Sequence, residues 1–237
     1  MNIAEKLTTI AENMQGVKDA GYEKMREDLT NALTVNGTRT NYLYCFYGSN
    51  YSGFKFTQTI KPIGVFNHMF YNSLEMTELP TPLDFSEILA NANDAYANRR
   101  SIFAQCRKLE VIPDLNMRAI GGIDEWFNYC LKLHTIELLR VHEGTIYNNT
   151  FNNCNSLQNI TFSEDSVIGQ NIDFHWSPLS KESIENIIGH LSKTLSEKKT
   201  LSLKQSAVEV AFSDDEWIEL ITPISNQDNG KWTISLS

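Results

Sequence analysis

The chain has 237 residues, 41% hydrophobic and 21% charged, with a formal net charge of -9. That suits one or two globular domains with a sizeable core. The acidic balance, with no basic run longer than pairs such as Arg99-Arg100 and Lys198-Lys199, excludes a nucleic-acid role, which needs clustered Lys and Arg.

No stretch approaches the roughly 18 consecutive apolar residues of a membrane-spanning helix, so membrane insertion is not expected. The opening Met1-Asn-Ile-Ala-Glu-Lys-Leu7 lacks the apolar run and cleavage site of a secretory leader. The protein is therefore expected to be made in a bacterial cytoplasm, and to stay soluble or to leave by a signal-free route such as lysis.

Residues 1–35 predict a helical segment. Ile3, Leu7, Ile10, Met14 and Val17 alternate spacings of four and three, the heptad pattern. With Leu7 and Met14 at a and Ile3, Ile10 and Val17 at d, three or four strands are favoured over two, so an assembly coiled coil giving a homotrimer or other homo-oligomer is expected. Gly16 and Gly21 break the phase, and Tyr22, Met25, Leu29 and Leu33 form a second stripe. An amphipathic hairpin packed on its own domain is the other reading, because short heptad runs are marginal alone.

Asn36-Gly37 marks a turn, and residues 36–62 have strand composition, with Tyr42, Tyr44, Phe46, Tyr47, Tyr51, Phe54 and Phe56 crowded together. Strands capping the next segment are expected here. Some of these rings belong to a core. Tyr47 and Tyr51, together with Tyr96 further on, are candidates for flat platforms that stack a sugar or anchor a protein partner. Trp126, Trp176, Trp217 and Trp232 are expected in the core.

Between residues 63 and 175 one phrase recurs, Phe-x-x-Cys-x-x-Leu-x-x-Ile. It reads Phe103, Cys106, Leu109, Ile112, then Phe127, Cys130, Leu133, Ile136, then Phe151, Cys154, Leu157, Ile160, at a constant period of 24. A degenerate copy, Phe70, Ser73, Met76, Leu79, precedes them by 33 residues, so nine extra residues fall between Leu83 and Ile102, around Ala90–Asn98. A period of 24 lies in the window of leucine-rich repeats, in which each unit is one turn of a solenoid. Insertions in such arrays emerge on one face, often the binding face. Cysteines at equivalent positions stack as small buried apolar groups, so reduced thiols are expected at Cys106, Cys130 and Cys154, and at Cys45 too. The predicted fold is an α/β repeat, a short solenoid of about four coils with N-terminal helices and a C-terminal α/β cap.

Residues 176–237 leave the phrase and predict that cap. Ser180 is a helix N-cap before Ile184, Ile187, Ile188 and Leu191, and Thr200–Leu203 is a short strand. Two helices follow, through Ala207–Phe212 and from Asp214 or Asp215 through Trp217 to Ile221. Their Asp214-Asp215-Glu216 cluster suits a helix first turn. Trp232–Leu236 closes the chain as a strand.

Catalytic chemistry finds little support. His68, His134, His142, His175 and His190 are scattered, without H-x-x-x-H or H-E-x-x-H, and no C-x-x-C occurs, so neither a metal nor a cofactor is expected. Cys130 with His134 is a formal nucleophilic pair, but the repeat already accounts for Cys130. Gly121-Gly122 lies at a repeat handover and matches no phosphate loop.

The phrase Cys-x-x-Leu-x-x-Ile-x-Leu/Phe, with an aromatic or alanine near its Phe, resembles the BspA-like leucine-rich repeats of bacterial surface and phage proteins. Asn2–Asn13, Asn36–Tyr42, Ile172–Ser180 and Trp232–Leu236 look like segments of phage and prophage proteins from Gram-positive gut bacteria. The resemblance implies a non-enzymatic virion-associated protein of the tail, baseplate or fibre. Its expected partners are other virion proteins, or a protein or glycan on the host surface. A bacterial surface adhesin or interaction scaffold of the same repeat class is the alternative, and a wall-degrading enzyme a third reading.

Overall fold

The computed structural model describes residues 46–48, 66–79, 83–85, 100–116, 121–225 and 232–237. The heptad positions Ile3, Leu7, Ile10, Met14 and Val17, as well as Cys45, Tyr51 and Tyr96, lie outside these residues.

The recurring phrase folds as a run of tight turns. The Cys106 N–H donates to the Phe103 carbonyl (3.0 Å) and the Leu109 N–H to the Cys106 carbonyl (3.1 Å); the same two bonds recur from Cys130 and Leu133, and from Cys154 and Leu157. Successive three-residue turns bring every third side chain to one side. That is why Phe, Cys and Leu, spaced by three, all point inward: each of these residues, and each Ile that follows, is at most 1% exposed.

The Ile opens a strand. β1 (Val111–Asn116), β2 (Thr135–Leu139) and β3 (Asn159–Phe162) form a parallel sheet in that order. Ile112 pairs with Ile136 and Ile136 with Ile160, so one repeat length in sequence is one strand step in space. Between Ile112 and Leu115 the register shifts, and Leu115 pairs with Leu138. This bulge contains Pro113, which has no N–H for a ladder.

Opposite the strands runs a ladder of phenylalanine rings. Phe46–Phe70, Phe70–Phe103, Phe103–Phe127, Phe127–Phe151 and Phe151–Phe174 have centroids 4.6–5.8 Å apart and planes within 24° of parallel. Stacked rings of this kind are worth about 0.5–1.5 kcal/mol per pair beyond the area they bury. The main chain follows the rings: Phe46 donates to Met69 (2.7 Å), Phe70 to Ile102 (2.8 Å), Phe103 to Trp126 (3.0 Å) and Phe127 to Thr150 (3.1 Å). Three of these six rungs, Phe46, Phe70 and Phe174, carry no cysteine phrase. Within residues 36–62, read above as capping strands, the described residues Phe46–Gly48 are a repeat turn, because Phe46 stands 24 residues before Phe70.

Each thiol ties its coil to the one before. Cys106, Cys130 and Cys154 donate through Sγ to the carbonyls of Phe70, Phe103 and Phe127, each at 3.1 Å, and all three are free and buried. In the degenerate copy the Ser73 hydroxyl makes the same bond to Phe46 (3.0 Å).

The nine-residue excess is absorbed by Phe85. Its ring lies 5.3 Å from Phe66 and 5.3 Å from Trp126, filling the core of the stack.

After Phe151 the two sides of the stack diverge. On the phenylalanine side a parallel sheet continues through β4 (Ile172–Phe174), β5 (Lys199–Leu203) and β6 (Trp232–Leu236). On the strand side β3 is followed by helix α1 (Lys181–Gly189), capped by Ser180, whose Oγ accepts from the Ser183 N–H (3.3 Å). The α1 side chains of Ser183 and Asn186 bond the open main chain of β3. Helices α2 (Gln205–Ala211) and α3 (Asp214–Ser225) complete the region. Lys181 on α1 pairs with Glu216 on α3 (2.8 Å), and the Trp232 indole donates to the Ser192 carbonyl (3.0 Å). Among the described residues no helix is long and apolar enough to cross a membrane.

Candidate binding edge

The two residues after each ladder Phe form the outer edge of the stack. The second adopts a left-handed backbone: Gly48 (φ 63°), Asn72 (60°), Gln105 (65°), Tyr129 (60°) and Asn153 (59°). A matching left-handed residue stands two before the Phe, at His68, Ser101, Glu125 and Asn149. Left-handed backbone on both flanks turns the chain sharply enough for one Phe to reach the core. It suits Gly and Asn and strains bulkier residues.

The edge has a consistent chemistry. At one end the Tyr47 and Tyr71 rings stack 5.5 Å apart at 9°, with His68 edge-on to Tyr71 at 5.1 Å. In the next coil Ala104 is buried and Gln105 half-buried at the edge, then come Asn128 and Tyr129, then Asn152 and Asn153. The far end is His175 and Trp176, rings 4.8 Å apart. Tyr47, Tyr129 and Trp176 are 41%, 39% and 40% exposed. Trp176 is thus a surface ring, where a core position was expected, because it falls two after Phe174 and points outward with the rest of its row.

No Asp, Glu, Lys or Arg occupies this row in any of the six coils. Charges beside it are engaged: the Arg107 guanidinium donates to the Gln105 side chain (3.1 and 3.3 Å), Arg100 pairs with Glu125 (2.9 Å), and Asp173 holds His175 (2.7 Å).

A second feature is a hollow of about 540 Å³ lined by Arg140, Val141, His142, Glu143, Asp165 and Val167. Its polar groups are largely committed to each other. Arg140 pairs with Asp165 (3.3 Å), the Gly144 N–H donates to His142 Nδ1 (3.0 Å), and Glu143 accepts from the Ser192 and Thr194 hydroxyls. Glu143 lies flat on Gly169, where a Cβ would meet its side chain at 2.3 Å and its carbonyl at 2.4 Å. The hollow is a pinned loop, and its charges hold that loop in place.

The thiols are poor nucleophiles here. Burial pushes Cys106 from 9.0 up to about 12 and raises Cys130 and Cys154 as well. Cys130 donates to the Phe103 carbonyl while His134 Nδ1 bonds Thr135 Oγ1 (2.9 Å), so the two have separate partners. Among the described residues no group of three or more His, Cys, Asp or Glu side chains is placed to hold a metal ion. Of the candidate platform tyrosines the structure describes Tyr47. Sequence reasoning missed Tyr71, Tyr129 and Trp176 as its companions, and the signal that finds them is their place one or two residues after a ladder Phe.

Parallel coils that share one register, one ring ladder and one buried polar contact per turn define a repeat protein whose outer rows are its available surface. A family model of the BspA-type leucine-rich repeat region matches six copies, over residues 6–99 and 99–200, and the chain belongs to that family. The match extends beyond the four coils over residues 63–175 that the cysteine phrase suggested. No curated protein and no solved structure matches the chain.

Proposed function

We propose that this protein is a non-enzymatic recognition protein, in which a continuous leucine-rich-repeat solenoid presents its phenylalanine-side edge to a partner. The observation that carries this reading is the row of exposed Tyr47, Tyr129 and Trp176 on a rigid stack, with no charged residue in the row. Exposed aromatics on a fixed scaffold are what binding hot spots use. Family membership supports the same reading, since repeat proteins of this kind work through extended surfaces.

We place it on a phage or prophage particle, as a tail, baseplate or fibre component. The support is the likeness of Asn2–Asn13, Asn36–Tyr42, Ile172–Ser180 and Trp232–Leu236 to segments of such proteins. Residues 1–35, whose heptad pattern predicts a helix, would then assemble three or more copies or anchor them to the virion. A bacterial surface adhesin of the same class is the second reading, favoured by the repeat itself.

Three measurements test this. Fluorescently labelled protein added to intact bacteria should coat the cells of at least one Gram-positive gut species, and uniformly bare cells would overturn the recognition reading. Antibody-gold labelling should decorate purified particles at the tail; label confined to the cell surface would favour the adhesin. Mass in solution should be that of a trimer or larger, and a monomer at micromolar concentration would remove the coiled-coil role.

A further inference from the structure

Three chemistries compete for the outer edge. An anionic ligand needs Lys or Arg, and the row has neither. A peptide adding as a strand needs free main-chain donors. The N–H groups of Phe46, Phe70, Phe103 and Phe127 already donate to the next coil, and the edge of β3 is held by Ser183 and Asn186. What the row offers is flat aromatic faces at Tyr47, Tyr71, Tyr129 and Trp176, with side-chain amides in the four coils from Asn72 to Asn153, uncharged in a chain of net charge -9. Sugars are matched by that pairing: the apolar C–H face of a pyranose lies on an aromatic ring, and its hydroxyls both donate to and accept from Asn and Gln.

We propose that the edge binds a neutral glycan chain laid along the stack. The rings at Tyr47 and Tyr71 take one end, Tyr129 and Trp176 the other, and the amides of Gln105 and Asn152 face the hydroxyls between them. The ladder beneath has five steps of 4.6–5.8 Å, so the row is about 25 Å long, room for several consecutive sugar rings. Separated anchors on one rigid row favour a polymer over a monosaccharide, since each further ring adds binding without a second loss of rotational and translational freedom. This deepens the recognition reading and rests on it.

The test is electrophoresis of the full-length protein through native gels cast with neutral polysaccharides (mannan, dextran, a β-glucan, a galactan) and, in parallel, with anionic hyaluronan. At least one neutral gel should retard the protein and the hyaluronan gel should not. Tyr129→Ala and Trp176→Ala should each weaken retardation about tenfold, with unchanged melting temperature, while Glu137→Ala on the strand face leaves it intact. Free migration in every neutral gel, or retardation untouched by both ring variants, overturns the proposal. Periodate, which cleaves sugar diols, separates this from the broader reading. Labelled protein that still coats periodate-treated cells means recognition stands and the glycan falls. Bare untreated cells with retardation in a neutral gel means the reverse.

Discussion

The side chain of Asn186 grips the main chain of Phe162 on both polar atoms: the Phe162 N–H donates to Oδ1 (2.8 Å) and Nδ2–H donates to the Phe162 carbonyl (3.3 Å). The amide imitates a residue of the missing next strand. One turn earlier on α1 the Ser183 hydroxyl accepts from the Ile160 N–H (3.0 Å) and donates to the Gln158 carbonyl (3.0 Å). A helix thus closes the edge of β3 with side chains spaced by three, the spacing that puts them on one face. Sheet edges left open invite pairing with other chains.

Asn186→Ala should therefore lower stability by about 2–3 kcal/mol, because it strands both a donor and an acceptor of Phe162. Urea unfolding reads the loss, and light scattering should show aggregation that the parent lacks. An unchanged midpoint would mean water replaces the amide without cost.

The thiol spine predicts a pH dependence. In the unfolded chain thiols ionise near 9.0, whereas burial holds Cys106 up to about 12 and raises Cys130 and Cys154. Above pH 9 the unfolded state has lost protons that the folded state keeps. Their contribution is therefore whole below pH 9 and falls as pH climbs toward 12, by up to about 1.4 kcal/mol per unit for each thiol. Tyr147, also raised by burial, acts in the same direction at higher pH. Urea midpoints measured from pH 8 to 10.5 should drop in the parent and flatten in a Cys106→Ser, Cys130→Ser, Cys154→Ser variant. Serine is the apt replacement, since Ser73 already makes this contact in the Phe70 coil.

Tyr129 holds φ at 60°, a conformation that costs a bulky residue about 1–2 kcal/mol. Asn153 occupies the equivalent place one coil on at 59°. Tyr129→Asn should stabilise the fold by about 1 kcal/mol in thermal melts while weakening ligand retention. A destabilised variant would show that the ring packs more than it strains.

Gly169→Ala should be severe, because the added methyl meets the Glu143 carbonyl at 2.4 Å and main chain cannot swing aside. A loss of about 1–3 kcal/mol is expected from such overpacking. Proteolysis within residues 140–144 should rise with it.

Tyr147→Phe removes a buried hydroxyl that has no hydrogen-bond partner among the described residues. It should be neutral or stabilising by about 1 kcal/mol in thermal melts. A clear loss would reveal a buried water on that hydroxyl.

The phrase Phe-x-x-Cys-x-x-Leu-x-x-Ile was legible because three-residue turns force period-three burial, and identical rows keep identical residues. The left-handed row was not. Gly48, Gln105 and Tyr129 share a backbone angle and nothing else, so no residue type marks it. Phe46 was hidden among neighbouring aromatics, although its 24-residue offset from Phe70 was present all along. Ser183 and Asn186 look like ordinary exposed helix residues until the strand they serve is in view. In the last ladder coil Ser177 takes the cysteine place, with its N–H on the Phe174 carbonyl (2.9 Å), and no phrase announced it.

Among the described residues each cysteine Sγ hydrogen bond and each stacked phenylalanine pair joins a coil to its immediate neighbour. A duplication or loss of one 24-residue unit would therefore leave each remaining junction chemically the same, with α1 still closing whichever strand comes last. Chain length becomes an adjustable ruler: the outer row would lengthen or shorten by whole coils without any change in the fold.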